Sequence, residues 1–364
     1  MENPHVAGRL RLLIVLTACS LSAFASDPPL PQPVATLALS SMHPSSQKDS
    51  TWVSVAFSSE TSIAVGLCHW DCASKECSLR LVRWEGGTLR AFAQTQQFDF
   101  DASLHPASDG QILAGWWRPS VLYSADLSTR RELPQHLSHI SPSGRTVSES
   151  ARGSWKLYHL TDKLEPLREG TGDLTSVSDE AVVIQEGRVM RIESIDGKRL
   201  GSFSLRDEAW GYHAALLGNS KLYLDDCRRT VKVVDFDGRT QLEIHPQGGC
   251  DQGNRASADG RRMLFDFASH KASGLGGALE ALRTITSFGM VGAEDVNRED
   301  VRVFDTVTGA SCFDWHRSFP STYSRVGSAA ISPSGEYVAI VAGDTLSIYR
   351  LPEVCGRSGI PRDK

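Results

Sequence analysis

The chain has 364 residues and a mass of 39.7 kDa, with 40% hydrophobic and 22% charged residues. This composition is typical of a globular chain and excludes a disordered, collagen-like or polytopic membrane protein. The formal charge of −5 lacks the basic excess that nucleic-acid binding requires, so we expect no nucleic-acid partner.

The first residues have the pattern of an export signal. Arg9 and Arg11 precede an apolar run over residues 12–18, and Ala23 and Ala25 flank Phe24 as in an A-x-A cleavage site. We therefore expect residues 1–25 to be a signal peptide of a bacterial protein that is periplasmic or secreted. Residues 26–33 would then form a proline-rich mature start.

Two alternatives for this segment stay open. Residues 16–19 resemble a bacterial lipobox, which would make residues 1–18 a lipoprotein signal and Cys19 the lipidated residue of an anchored envelope component. An uncleaved anchor is the other alternative, although the apolar run is shorter than the roughly 20 residues of a spanning helix. We expect no membrane span in the mature chain.

A short turn recurs along the rest of the chain between apolar, β-branched runs. Its clearest copies are Ser-Pro-Ser-Gly at residues 141–144 and 332–335, with Ser-Asp-Gly and Ala-Asp-Gly variants at residues 108–110 and 258–260. Serine, proline, aspartate and glycine supply the backbone geometry of tight turns between strands. The pattern therefore predicts a series of β-hairpins.

A second turn, often Asp-Gly or Thr-Gly, follows the first one. It lies 17 or 18 residues downstream in five of seven units, and 26 and 49 residues downstream in the other two. Seven units of strand, turn, strand, connection, strand, turn, strand fill residues 52–352, at about 43 residues each. This period predicts an all-β, seven-bladed β-propeller of four-stranded blades. A β-sandwich, two small β domains, or an eighth blade within residues 260–309 are the alternatives.

The last unit lacks a fourth strand of its own. Residues 34–39 are apolar and precede the first full unit, so we expect them to pair with residues 345–349 and close the ring. Closure of this kind removes two exposed sheet edges, which otherwise invite aggregation. The propeller would then be one domain over residues 34–355, followed by a flexible tail at residues 356–364.

The Ser-Pro-Ser-Gly turns between strand pairs resemble those of WD-repeat-like and translocation-B-type propellers. The resemblance covers most of residues 34–352 and concerns the fold, since the Trp-Asp and Gly-His signatures of WD repeats do not recur. It implies a propeller whose first and second strands are joined by such a turn. Function does not transfer with a fold of this kind.

The two long units carry insertions between their second and third strands. In a propeller these loops emerge on the same side as the connections between blades, which we call the insertion face; the opposite side is the turn face. The insertions are residues 68–77 and about 269–298. In the second, Leu275, Leu279, Leu282 and Ile285 recur at helical spacing and predict a short helix in blade six. A lid or partner-docking helix, or a helix packed on the rim, fits this pattern.

Eight cysteines are present, and export favours disulfides. Strand order suggests Cys68 with Cys77 across a hairpin, and Cys227 with Cys250 on the insertion face. Cys312 and Cys355 would pair on the turn face of neighbouring units. Cys72 is left over. A metal site of Cys68, His69, Cys72 and Cys77 is the alternative, but its spacing is unlike that of zinc sites, and we expect no metal.

Polar and aromatic side chains cluster where strands are predicted to begin near the insertion face. For each, packing between blades is the alternative to contact with a ligand or partner. The candidates are Trp116, Trp117, Arg118, Trp210, Tyr212, His213, Asp251, Arg255, Tyr323 and Arg325.

These features favour an exported scaffold that binds a protein, small molecule or glycan on the insertion face, acting as a monomer. The sequence lacks hydrolase-elbow, zinc-protease, Walker and dinucleotide motifs, so it assigns no catalytic residue and no cofactor. The alternatives are a glycan-active or quinone-type propeller enzyme and the lipid-anchored envelope component. An enzyme of this kind would need converging carboxylates, or a carboxylate and a histidine, in the channel.

Overall fold

The structure is a computed structural model. It describes residues 31–39, 50–70, 75–85, 87–96, 98, 103–115, 119–134, 136–151, 153–161, 163–205, 213–218, 220–225, 230–244, 255–270, 296–320, 329–342 and 345–356. The predicted signal with Cys19, the leftover Cys72, the predicted Cys227–Cys250 pair and the predicted helix at residues 275–285 lie outside the described residues.

Within these residues, 28 strands form seven four-stranded antiparallel sheets, the blades. Strand β1 (Ala35–Ala38) comes first in the chain but belongs to the last blade. Blades 1 to 3 contain β2 (Ser50–Phe57), β3 (Ser62–Trp70), β4 (Lys75–Glu85) and β5 (Thr88–Thr95); β6 (Ser103–Pro106), β7 (Ile112–Gly115), β8 (Val121–Tyr123) and β9 (Arg130–Glu132); and β10 (Leu137–Ile140), β11 (Thr146–Ala151), β12 (Ser154–Leu160) and β13 (Leu164–Thr171).

Blades 4 to 6 contain β14 (Asp173–Val177), β15 (Ala181–Glu186), β16 (Val189–Ser194) and β17 (Arg199–Ser204); β18 (His213–Leu217), β19 (Lys221–Asp225), β20 (Val231–Asp235) and β21 (Thr240–Ile244); and β22 (Arg255–Ala256), β23 (Arg262–His270), β24 (Val296–Asp305) and β25 (Ser311–Pro320). Blade 7 contains β26 (Ala329–Ile331), β27 (Tyr337–Ala342) and β28 (Thr345–Arg350), with β1 as its fourth strand. A short 3-10 turn, Ser108–Gly110, follows β6.

The recurring serine turn joins the first and second strands of a blade. Its first serine accepts a hydrogen bond from a backbone N–H five residues later, as in Thr146 to Ser141 at 3.0 Å and Tyr337 to Ser332 at 3.2 Å. Gly144 shows why the turn ends in glycine. Its φ is +73°, and a Cβ there would lie 1.8 Å from the carbonyl oxygen of Pro106 in blade 2.

The blades are held in a ring by apolar packing at each junction. Seven clusters of buried side chains each join residues of two neighbouring blades, and together they run from blade 1 through blade 7 and back to blade 1. At five of the seven junctions, the first strands of the two neighbouring blades contact each other, and these strands line the centre of the ring. Serine side chains join some of them, since the backbone N–H groups of Leu104 and Leu216 each donate to a serine of the preceding blade at 3.0 Å. The chain is therefore an all-β, seven-bladed propeller.

The N-terminal strand closes the ring as expected. Strand β1 pairs antiparallel with β28, with Ala35 opposite Ile348 and Ala38 opposite Thr345. Leu39, directly after β1, is fully buried in the cluster between blades 7 and 1. At the other end of the chain, Gly356 forms a bridge with Ser311 of blade 6, so this residue of the predicted tail is paired.

The two insertions differ from the loops that their length suggested. Strands β3 and β4 continue through residues 68–70 and 75–77, and β23 and β24 continue through residues 268–270 and 296–299. Backbone pairing with a neighbouring strand accounts for this, because an extended hairpin satisfies the N–H and C=O groups that a loop would leave open.

Candidate functional site

Among the described residues, two hairpins project beyond the others on the insertion face. In blades 3, 4 and 7, the second and third strands form six residue pairs. In blades 1 and 6 they form nine pairs. In all five blades the pairs are counted from the turn that joins the first and second strands. Three further pairs at about 3.3 Å per residue extend each hairpin by roughly 10 Å.

Each projection has three strands. In blade 1, the inner strand β2 continues beside the hairpin, with Ser50 opposite Trp70. In blade 6, the outer strand β25 continues instead, with Asn297 opposite Phe319. We call residues 50–52, 68–70 and 75–77 the blade 1 tab, and residues 268–270, 297–299 and 317–319 the blade 6 tab. A third strand makes a projection stiffer than an isolated hairpin, which is marginal in water.

The tabs stand on either side of blade 7 in ring order. The blade 7 hairpin ends at the pair of Ala342 with Thr345. Among the described residues, those of blade 7 therefore do not rise to the height of the tabs.

A disulfide crosslinks the blade 1 tab. Cys68 and Cys77 lie opposite each other in the ladder and are bonded, with Cα atoms 4.0 Å apart. This is the pair that strand order indicates. Both sulfurs are consumed by the bond, so neither can act as a thiolate metal ligand. In the part of the chain that the structure describes, no group of three His, Cys, Asp or Glu side chains is arranged to hold a metal ion.

The structure describes the backbone of only two of the ten predicted binding residues. His213 begins β18 and Arg255 begins β22, and both strands are the first of their blades. First strands run from the insertion face to the turn face, so both residues lie at the insertion-face end of the channel wall. The other eight lie outside the described residues, namely Trp116, Trp117, Arg118, Trp210, Tyr212, Asp251, Tyr323 and Arg325, and their grouping stays a prediction.

A cleft that the sequence did not indicate opens on the turn face, where blades 7 and 1 meet. It has a volume of about 620 Å³ and is lined by Glu60, Thr61, Trp84, Glu85, Gly87, Ser334, Glu336 and Tyr337. The rings of Trp84 and Tyr337 meet edge to face, with centroids 4.2 Å apart. The Glu60 carboxylate accepts hydrogen bonds from the backbone N–H and, at 2.8 Å, the hydroxyl of Ser334.

A local signal for this cleft exists in the sequence. Trp84 directly precedes the second turn of unit one, and Tyr337 lies two residues after the serine turn of unit seven. Both turns open on the turn face, and ring closure makes units one and seven neighbours. Aromatic residues beside same-face turns of adjacent blades are therefore the pattern that would have predicted this contact.

The shifted pKa values of the described groups have structural causes. Burial lowers the pKa of His139, in the inner strand β10, to about 4. Hydrogen bonds from Ser124 and Ser128 in a tight turn lower the pKa of Asp126 to about 2. Burial favours a raised pKa for Asp305, but hydrogen bonds from the backbone N–H groups of Thr308 and Val307 and from the side chains of Arg261 and Thr308 together outweigh it and lower the pKa.

No helix among the described residues is long and apolar enough to cross a membrane.

No protein-family model and no curated protein sequence matches the chain. Among solved structures it is similar to the C-terminal WD40 domain of Sif2, with 12% identity and a TM-score of 0.47 over 89% of this chain and 99% of that one. It is also similar to Sqt1 of Chaetomium thermophilum, with 12% identity, a TM-score of 0.46 and coverage of 88% and 98%. A form of KlHsv2 with loop 6CD replaced by a Gly-Ser linker gives 10% identity, a TM-score of 0.49 and coverage of 84% and 99%. These likenesses concern the fold alone, and the strand pairing of the chain itself makes it a seven-bladed β-propeller.

Proposed function

We propose that this propeller is an exported interaction scaffold that receives a partner protein on its insertion face, in the notch over blade 7 between the two tabs. The observation that carries the proposal is the pair of three-stranded tabs on either side of a blade whose own hairpin is three residue pairs shorter. Loops and projections on a rigid scaffold are where binding usually occurs. Among the described residues this notch is roughly 10 Å deep. That depth is about the diameter of an α-helix or the spacing between two packed sheets.

The chain order adds candidate contacts to this notch. Strand β25 ends and strand β26 begins at the insertion face, and the sequence between them contains Tyr323 and Arg325. Tyrosine and arginine are enriched among the residues that dominate binding energy at protein interfaces. We include both in the proposed contact surface.

Two observations support export. The first residues have the charge and apolar pattern of a secretory signal. Cys68–Cys77 and Cys312–Cys355 are disulfides, and such bonds form and persist in oxidising compartments. We propose cleavage after Ala25. Intact-mass measurement of the mature protein tests this, because a diacylglyceryl group on Cys19 would assign the chain to the lipoproteins instead.

Shortening one tab tests the binding proposal. Replacing residues 268–299 by Asn-Gly joins Phe267 to Asp300 and leaves blade 6 with the six hairpin pairs of an ordinary blade. Partners recovered by crosslinking from the native compartment should be lost from this variant. The matched control replaces the blade 6 turn at residues 307–309 on the opposite face by Asn-Gly-Gly and should keep them. Equal recovery by both variants, at equal melting temperature, would contradict the proposal.

A further inference from the structure

The turn-face cleft between blades 7 and 1 has aromatic walls that belong to different blades. Trp84 is the second-last residue of β4 in blade 1, and Tyr337 begins β27 in blade 7. Both are half-buried and lean on the core cluster of this junction, so each keeps part of its ring at the cleft surface. The negatively charged face of an aromatic ring attracts cations.

The remaining walls of the cleft are acidic. Glu60, Glu85 and Glu336 line it, and no lysine or arginine is among its lining residues. Glu85 lies 3.7 Å from the exposed Arg83, whereas Glu60 is held by the hydroxyl and backbone N–H of Ser334. Glu336 forms no ion pair within the described residues. The cleft therefore combines an aromatic surface with negative charge that the described residues do not neutralise.

The same chain shows which cation suits such a surface. Three guanidinium groups lie over aromatic rings within blades: Arg83 over Phe92 at 4.7 Å, Arg168 over Trp155 at 5.1 Å, and Arg317 over Trp315 at 5.8 Å. Arg168 also forms an ion pair with Glu193, so one guanidinium contacts both an aromatic ring and a carboxylate. A planar guanidinium can stack on a ring and bind a carboxylate through two N–H groups at once, which an ammonium cannot do.

We propose that the cleft between Trp84 and Tyr337 binds an arginine side chain of a partner protein. The guanidinium stacks on the exposed part of the Trp84–Tyr337 pair and forms ion pairs with Glu60 and Glu336. This surface lies on the opposite face from the notch over blade 7, so the failure of one proposal leaves the other unaffected.

The test uses the full mature chain and a blocked Gly-Arg-Gly peptide as the probe. Nuclear magnetic resonance of isotope-labelled protein reports the indole N–H signal of Trp84, assigned by its loss in Trp84→Phe. We expect this signal to shift saturably with the arginine peptide and not with its neutral citrulline counterpart. The indole of Trp155 is an internal control, because it already donates to Thr171 and stacks with Arg168.

Variants test which carboxylates and which aromatic ring bind the peptide. Glu336→Gln, which removes one exposed charge, should weaken peptide binding about two- to fivefold. Trp84→Leu lacks the reporting indole, so its peptide affinity is measured by titration calorimetry, and it should be weaker by about fivefold or more. The matched control is Glu132→Gln, an exposed carboxylate of blade 2 paired with Arg130, and it should leave the affinity unchanged. Trp84→Leu also removes packing and could prevent folding. In that event the affinity of Glu336→Gln alone tests the proposal.

Three results would overturn the proposal. The citrulline peptide could shift the Trp84 signal as strongly as the arginine peptide does. A lysine peptide could bind as tightly as the arginine peptide, which would refute guanidinium recognition. The affinity of Glu336→Gln could equal that of Glu132→Gln, which would exclude the carboxylates of the cleft.

Discussion

Cys312 and Cys355 are joined by a disulfide that fastens the chain end after blade 7 to the outer strand of blade 6, with Cα atoms 4.4 Å apart. The guanidinium of Arg262 holds the same chain end, donating to the carbonyl oxygens of Pro352 and Glu353 at 2.8 and 3.0 Å. The C-terminal end of the propeller is therefore held by blade 6, while the N-terminal strand pairs with blade 7.

The Cys312–Cys355 bond should contribute more stability than the Cys68–Cys77 bond. The two bonds span 43 and 9 residues of sequence. The chain-entropy model gives about 4 kcal/mol for the longer loop and about 2.5 kcal/mol for the shorter one. We expect the double alanine variant of Cys312 and Cys355 to lower the free energy of unfolding more than that of Cys68 and Cys77. Urea unfolding measures both, and the reverse order would refute this use of loop length.

Leu39 tests closure of the ring by the N-terminal segment. Its side chain is fully buried between blades 7 and 1. Leu39→Ala should lower the free energy of unfolding by about 2–5 kcal/mol, because it deletes buried methyl groups and leaves a cavity. Thr36, exposed in β1, is the matched control, and Thr36→Ala should change stability by no more than about 0.5 kcal/mol. Equal effects of the two variants would argue against a packed closing segment.

Gly144 tests the close approach of turns in neighbouring blades. Gly144 and Gly153 have φ values of +73° and +78°, but only at Gly144 would a Cβ collide with backbone. Gly153→Ala should cost about 1–2 kcal/mol for the left-handed backbone alone. Gly144→Ala should cost more, because blade 2 or blade 3 must shift. Thermal unfolding of both variants measures the difference, and equal melting temperatures would contradict the contact with Pro106.

His139 makes stability depend on pH. Burial lowers its folded-state pKa to about 4, from 6.5 for an ordinary histidine. Between these values the unfolded chain binds the additional proton, so this contribution to stability is lost as the pH falls from 6.5 towards 4. His139→Asn should flatten this part of the curve of unfolding free energy against pH, which urea unfolding at a series of pH values measures. Parallel curves for His139→Asn and the unmodified protein would contradict the desolvation of His139.

The propeller architecture follows from sequence because its signals are local. A first turn, clearest at residues 141–144 and 332–335, and a second turn recur in every unit, and they lie 17 or 18 residues apart in five of the seven. Ring closure by β1 follows from the number of predicted strands in each unit, since only the last unit lacks a fourth strand. The pairings Cys68–Cys77 and Cys312–Cys355 follow from strand order in turn.

The candidate surfaces are harder to predict from sequence, because they depend on contacts between residues that are distant in sequence. His270 pairs with Asn297 across 26 intervening residues, so the length of the insertion concealed the extension of two predicted strands into it. Trp84 and Tyr337 meet only because the ring closes. Turn spacing alone does not show how far the strands of the insertion extend, and it indicates the Trp84–Tyr337 contact only when the aromatic residues beside the turns are considered together with ring closure.

Site-specific photocrosslinking in the native compartment tests most directly whether a partner binds on the insertion face over blade 7. One variant carries the photoreactive residue at Ser269, in the blade 6 tab. The other carries it at Val307, which is 66% exposed in the turn at the opposite end of the same blade. We predict a partner adduct from position 269 and none from position 307. An adduct from position 307 with none from position 269 would contradict the claim.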